Sequence, residues 1–129
     1  MIHRFPIRVY YEDTDMGGIV YHANFLKFIE RARSDWVRNM GIDQTRMLEE
    51  HGTVFVVRRI EADYLSPGKY DDELEVHTIP ASVSGARLVM DQKVMRGRDL
   101  LFSAQVTIVC INEDGQPVRL PANIRQRVH

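Results

Sequence analysis

The stretch from Tyr11 to Gly41, YEDTDMGGIVYHANFLKFIERARSDWVRNMG, limits what this chain can fold into more than any other. It carries the only long amphipathic helical pattern in the sequence. Phe25, Phe28, Ile29, Ala32, Trp36, Val37 and Met40 recur at helical spacing and form one broad apolar stripe. Lys27, Arg31, Asp35 and Arg38 take the opposite face, with Arg31 and Asp35 four apart and placed to pair. Asn24 reads as the cap, since its short side chain accepts from a first-turn N–H, and Gly41 ends the helix. At the α-helical rise the element is roughly 25 Å long, enough to fill the centre of a small domain.

The turn before the helix carries the chemistry. Asp13 and Asp15 flank Thr14, and Gly17 and Gly18 allow a close backbone approach. Ile19-Val20-Tyr21 then leads to His22 at the helix start. Unpaired N–H groups and a partial positive charge at a helix N-terminus can hold an anion or a developing oxyanion. A nearby carboxylate can attack a carbonyl or activate water. Acyl-bond cleavage needs those two parts. Other readings compete. A calcium loop needs a glutamate at its twelfth position, but counting from Asp13 that position is Asn24, after a strand-like segment. A structural turn whose carboxylates cap backbone donors stays open, as does a packed structural role for His22.

The rest of the chain reads as strands that cover the helix. Phe5, Ile7, Val9 and Tyr11 alternate with polar residues, which points Tyr11 inward near the turn. Asp43 caps a short helix through Met47 and Leu48 that stops at His51-Gly52. Strands follow over Thr53–Tyr64, Glu73–Val83, Arg87–Met95 and Leu100–Asn112, joined by turns at Leu65-Ser66-Pro67-Gly68, Ser82 to Ala86 and Arg96 to Asp99. In the first of these, Val54, Val56, Ile60, Ala62 and Tyr64 share a face, broken by Arg58. The tail from Arg119 is polar and expected to be partly mobile. One helix and short-turned strands predict an α+β domain spanning residues 1–129, with an antiparallel sheet curled around the helix.

Composition excludes several classes. With 17 basic and 18 acidic residues the formal charge is −1, which offers no electrostatic case for nucleic acid or an anionic membrane. The single Cys110 rules out an internal disulfide, suits a reducing compartment and reads as buried filler. Neither a signal peptide nor a membrane span is visible, so a soluble cytoplasmic protein is expected. His3, His77 and His129 lack metal-ligand spacing, and neither a metal nor a cofactor is expected. Glu30, between Ile29 and the pair Arg31 and Arg33, reads as salt-paired rather than catalytic.

Tyr11-x-x-x-Asp15-x-x-Gly18-Ile19-Val20-Tyr21-His22-x-Asn24 resembles the signature of the 4-hydroxybenzoyl-CoA thioesterase branch of the hotdog-fold proteins. Arg8 to Asp15, Glu30 to Arg33, Phe55 to Arg58 and Leu65-Ser66-Pro67 extend the resemblance over nearly the whole chain, toward the acyl-CoA thioesterases associated with the Tol–Pal system of Gram-negative bacteria. Phe25 stands where many relatives have tyrosine. The resemblance implies a hotdog fold, with five or six strands wrapped around one long helix, and a homo-oligomer, dimer or tetramer, whose pocket lies between subunits. It implies thioester hydrolysis with Asp15 as nucleophile or general base and His22 and Tyr11 assisting. The N–H groups near His22 and Ala23 would serve as oxyanion site, and Gly18 would allow close approach. Acyl-CoA is the implied substrate, with acyl-carrier protein as a further partner. Arg58, Arg59, Lys93, Arg96 and Arg98 suit a solvated surface, but an arginine fork also suits the phosphates of CoA, and Arg87 after Ser84-Gly85 is the choice for that role. Two alternatives remain: a hotdog hydratase or dehydratase, against which the seven-residue spacing of Asp15 and His22 speaks, and a non-catalytic module for acyl carriers or envelope partners.

Overall fold

The computed structural model describes residues 2–127; His129 lies outside them. Five antiparallel strands form one sheet: β1 (His3–Arg8), β2 (Val54–Tyr64), β3 (Glu73–Ser84), β4 (Arg87–Arg96) and β5 (Asp99–Ile111), in the order β1-β3-β4-β5-β2. Helix α1 (His22–Asn39) lies on one face of the sheet, with α2 (Gln44–His51) after it and α3 (Ala122–Arg127) near the end. This is the α+β hotdog arrangement expected, at the lower strand count.

The α1 stripe is buried as its spacing predicts. Phe28, Ile29 and Ala32 are completely enclosed, and Phe25 stacks on Phe102 with ring centroids 5.1 Å apart. Enclosing an apolar side chain of that size contributes about 1.5–3 kcal/mol, so this stripe anchors the fold. A polar seam crosses the same interface. The Gln92 amide donates to the Ile29 carbonyl (2.9 Å) and the Thr78 hydroxyl (3.0 Å), while its oxygen accepts from Arg33 (3.1 Å). Asp43 caps α2 by accepting from the N–H groups of Thr45 and Arg46, as expected.

Several sequence expectations are corrected. Helix α1 starts three residues earlier, at His22, with Tyr21 at the cap position and no side-chain cap. Asn24 is instead buried inside the first turn, because a distant carboxylate, Asp13, accepts its amide at 2.9 Å. Asp35 does not pair with Arg31; its Oδ2 lies 2.7 Å from His3 Nε2 on β1, and Arg31 sits over the Phe28 ring. Strand β2 bulges between Val57 and Arg59, which shifts its faces. Phe55 and Val57, not Val54 and Val56, therefore share the α1 side with Ile60, Ala62 and Tyr64. The tail is ordered through α3, because Leu120 and Ile124 plug into the core.

Strand β2 is an edge strand, and Val57, Ile60 and Tyr64 on its α1 side remain between a third and a half exposed. The unpaired backbone groups of an edge strand beside exposed apolar side chains can pair with another chain.

Candidate active site

Two carboxylates two residues apart meet opposite fates. Asp13 is 3% exposed; its Oδ2 accepts the Tyr10 N–H (2.8 Å), its Oδ1 accepts the Asn24 amide, and its carbonyl accepts the Tyr21 N–H (2.8 Å). It ties the end of β1, the turn and the start of α1 together. Asp15 is exposed and accepts a single bond, from the Gly17 N–H to Oδ1 at 2.9 Å. It forms no ion pair among the described residues.

The loop that carries Asp15 is held rigidly. Its N–H bonds to the Ile19 carbonyl (2.9 Å), and its carbonyl accepts from Gly18 (3.0 Å), whose φ of 77° is left-handed. Beneath it, the Val20 N–H bonds to the Gly68 carbonyl at 2.8 Å, and a Cβ on Gly68 would stand 2.9 Å from Val20 Cγ2. The Leu65–Gly68 turn is thus a floor for the site, a role its turn signature alone did not reveal.

The chain then enters α1. The Asn24 N–H folds back onto the Tyr21 carbonyl (2.8 Å), but the N–H groups of His22 and Ala23 have no acceptor among the described residues. Adjacent open donors at a helix start are what an oxyanion requires. The His22 ring is exposed, 4.6 Å from the Tyr21 ring and 6.2 Å from the Tyr64 ring. The Tyr64 hydroxyl donates to the His22 carbonyl at 2.9 Å, so the last residue of β2 clamps the helix start. Tyr64 is a site element that sequence reading missed; its aromatic ring just before Leu65-Ser66-Pro67 was the available signal.

Tyr11 departs from expectation. It is 83% exposed rather than inward, because β1 ends at Arg8 and Tyr11–Asp13 wind into a 3-10 turn, where strand alternation no longer holds. Its ring meets Tyr70 edge-on at 6.0 Å, at the rim of the site. Glu30 makes no ion pair among the described residues and instead accepts the Ser34 hydroxyl at 3.0 Å, the geometry of neighbours one helical turn apart.

Ser84 and Arg87 line a cleft of about 370 Å³ with Arg58 and Pro117, on the face turned away from α1. Arg87 pairs across from Val109, whereas Tyr64 pairs across from Phe102, so this cleft sits roughly 20 Å along the sheet from the helix start. Within one chain it does not meet Asp15.

Residues 17–103 match the family model described as Thioesterase superfamily. The acyl-CoA thioesterase YbgC of Haemophilus influenzae is 41% identical over 126 residues, covering 97% of this chain and 93% of its own length. The acyl-CoA thioester hydrolase YbgC of Escherichia coli is 40% identical over 95% of this chain and 92% of its own. Among solved structures, a probable thioesterase from Bartonella henselae superposes with a TM-score of 0.88 at 40% identity, covering 94% of this chain and all of that one.

Proposed function

The chain belongs to the thioesterase superfamily and hydrolyses acyl-CoA thioesters, and we propose that the reaction runs where the Asp15 turn meets the N-terminus of α1. The observation that carries this reading is the exposed, cation-free carboxylate of Asp15, tied by the Asp13 bonds to a helix start with two open donors. The thioester carbonyl oxygen accepts from the N–H groups of His22 and Ala23, which stabilise the charge that grows as the carbonyl carbon becomes tetrahedral. Gly18 lets substrate pass close to the backbone. Asp15 acts in one of two ways. As general base it takes a proton from a water whose oxygen attacks the carbonyl carbon; the C–S bond breaks and the thiolate leaves and is protonated. As nucleophile its oxygen attacks, the thiolate leaves, and water then cleaves the mixed anhydride. His22 and Tyr11, at the rim, orient water and substrate.

The same reading makes the enzyme a homo-oligomer. Antiparallel pairing of two β2 edges covers Val57, Ile60 and Tyr64 and lays the Val54 end of one strand beside the Tyr64 end of the other. A substrate bound between protomers then reaches a catalytic turn from one and the arginine cleft from the other, where Arg87, Ser84 and Arg58 meet the phosphates of CoA. Two such dimers pair into a tetramer. Acyl-carrier protein serves as a further acyl donor. A chain with one cysteine, buried and unpaired, suits the reducing cytoplasm and a place beside the Tol–Pal system.

Thiol release from a panel of acyl-CoA substrates tests the reading. Asp15→Asn is expected to fold normally and to lose turnover by on the order of a thousandfold, the range assigned to a positioned base. Wild-type turnover by that variant would remove Asp15 from the mechanism.

A further inference from the structure

Arg33 is the one basic side chain buried among the described residues, at 8% exposure. A guanidinium has five N–H donors, and this one gives a single bond, to the neutral oxygen of Gln92. The Gln92 NH2 is committed to Ile29 and Thr78, so the amide can present only its oxygen to Arg33. No carboxylate lies within ion-pair distance among the described residues, and burial holds the guanidinium below its usual range, with Glu30 partly offsetting this. A buried cation without a counterion is costly, and an anionic ligand group would offset that cost.

Beside Arg33 lies a pocket of about 140 Å³, walled by Val37, Phe55, Val57, Leu88 and Ile108, with Glu30 at its edge. Its position relates it to the catalytic end. His22 and Arg33 are eleven residues apart, about three full turns, and so share one side of α1. Strand β2 runs against the helix: Tyr64 bonds the His22 carbonyl at one end, and Phe55 and Val57 wall the Arg33 pocket at the other. About 16 Å of α1 separates the two ends, and Ile60 on the α1 side of β2, 36% exposed, lies between them. The Arg33 side chain leans back toward the helix start, which shortens that reach.

We propose that Arg33 receives a carboxylate at the far end of the acyl group, so that the preferred substrates are ω-carboxyacyl thioesters of medium length. This rests on the catalytic reading above, because the thioester must lie at the helix start for the acyl tail to run between α1 and β2 to Arg33. The planar fork grips the carboxylate through donors that Gln92 leaves free, and the apolar walls hold the methylenes. Glu30, beyond ion-pair distance and in solvent, repels the same carboxylate weakly and sets an upper limit on its affinity.

Two measurements decide it, each on wild type, Arg33→Met, Arg33→Lys and Glu30→Gln with folding checked by thermal unfolding. The first is hydrolysis of matched ω-carboxyacyl-CoA and unsubstituted acyl-CoA across chain lengths. Wild type is expected to favour the ω-carboxyacyl series by about tenfold or more in kcat/KM, through KM, as one charge-assisted pair allows. Arg33→Met abolishes the preference and leaves the unsubstituted series unchanged, Arg33→Lys keeps part of it, and Glu30→Gln increases it. Equal losses on both series in Arg33→Met, or a wild type without preference, overturns the proposal. The second is calorimetry with free dicarboxylic and monocarboxylic acids, which needs no turnover. Arg33-dependent binding of the dicarboxylate without any hydrolysis sustains the anion site and sinks the catalytic reading. Hydrolysis with neither a substrate preference nor Arg33-dependent binding does the reverse.

Discussion

The two ends of α1 are treated in opposite ways. At the C-terminal end the backbone accounts close: the Met40 N–H bonds to the Trp36 and Val37 carbonyls, Gly41 to Arg38, and the Asn123 amide donates to the Met40 carbonyl at 2.8 Å. At the N-terminal end Tyr21 offers no cap, and two donors stay open. Polar groups at helix ends need partners, and the two open donors at this end are those the proposed oxyanion would use. The two aspartates of the turn repeat the contrast. Asp13 spends both oxygens on the fold, while Asp15 keeps most of its bonding capacity for something else.

This contrast can be broken by experiment. Asp15→Asn carries the largest expected effect, the loss of turnover given above with little change in melting temperature. Next is Tyr21→Ser, which gives α1 the missing cap. Its hydroxyl would accept from Ala23 and should stabilise the fold by about 1 kcal/mol. The same bond should lower kcat by about a hundredfold, since one oxyanion donor is taken, as thermal unfolding and thiol release measured side by side would reveal. Asp13→Ala reverses that pattern. It strands the Tyr10 N–H and the Asn24 amide and should cost about 2–3 kcal/mol in denaturant unfolding. Asn123→Ala, at the closed end, should cost about 1 kcal/mol and leave kcat unchanged.

The smallest effect concerns Cys110, whose thiol burial pushes above its usual range, with the Thr53 hydrogen bond opposing. Its neutral form favours the folded state, so that contribution is intact below the unfolded thiol value, about 8.5. It falls away as pH rises through the higher folded value. A unit-by-unit pH series of unfolding free energies should therefore decline above that point in wild type and less in Cys110→Ala.

Legibility followed the range of the forces involved. The α1 stripe was readable because burial on one side imposes a local period, and Asp43 and Gly52 were readable because caps act within a turn. Asn24 misled as a cap because Asp13, eleven residues earlier, claims its amide. The bulge at β2 shifts register without any glycine to announce it, so strict alternation puts Val54 and Val56 on the α1 side where the structure has Phe55 and Val57. Leu120 and Ile124, four apart in a polar tail, were the overlooked sign of α3. In the site, the Asp15 turn stood out from local chemistry, whereas Tyr64, Gly68 and the Arg33 pocket exist only once distant segments meet.

The proposed reaction requires a thioester carbonyl seated against the open end of α1. Amide NMR of the Asp15→Asn protein, titrated to saturation with an intact acyl-CoA, tests that seat directly. The His22 and Ala23 amide protons should move downfield together as the carbonyl arrives, while those of Met40 and Gly41 stay still. Saturation with the first pair unmoved would contradict it.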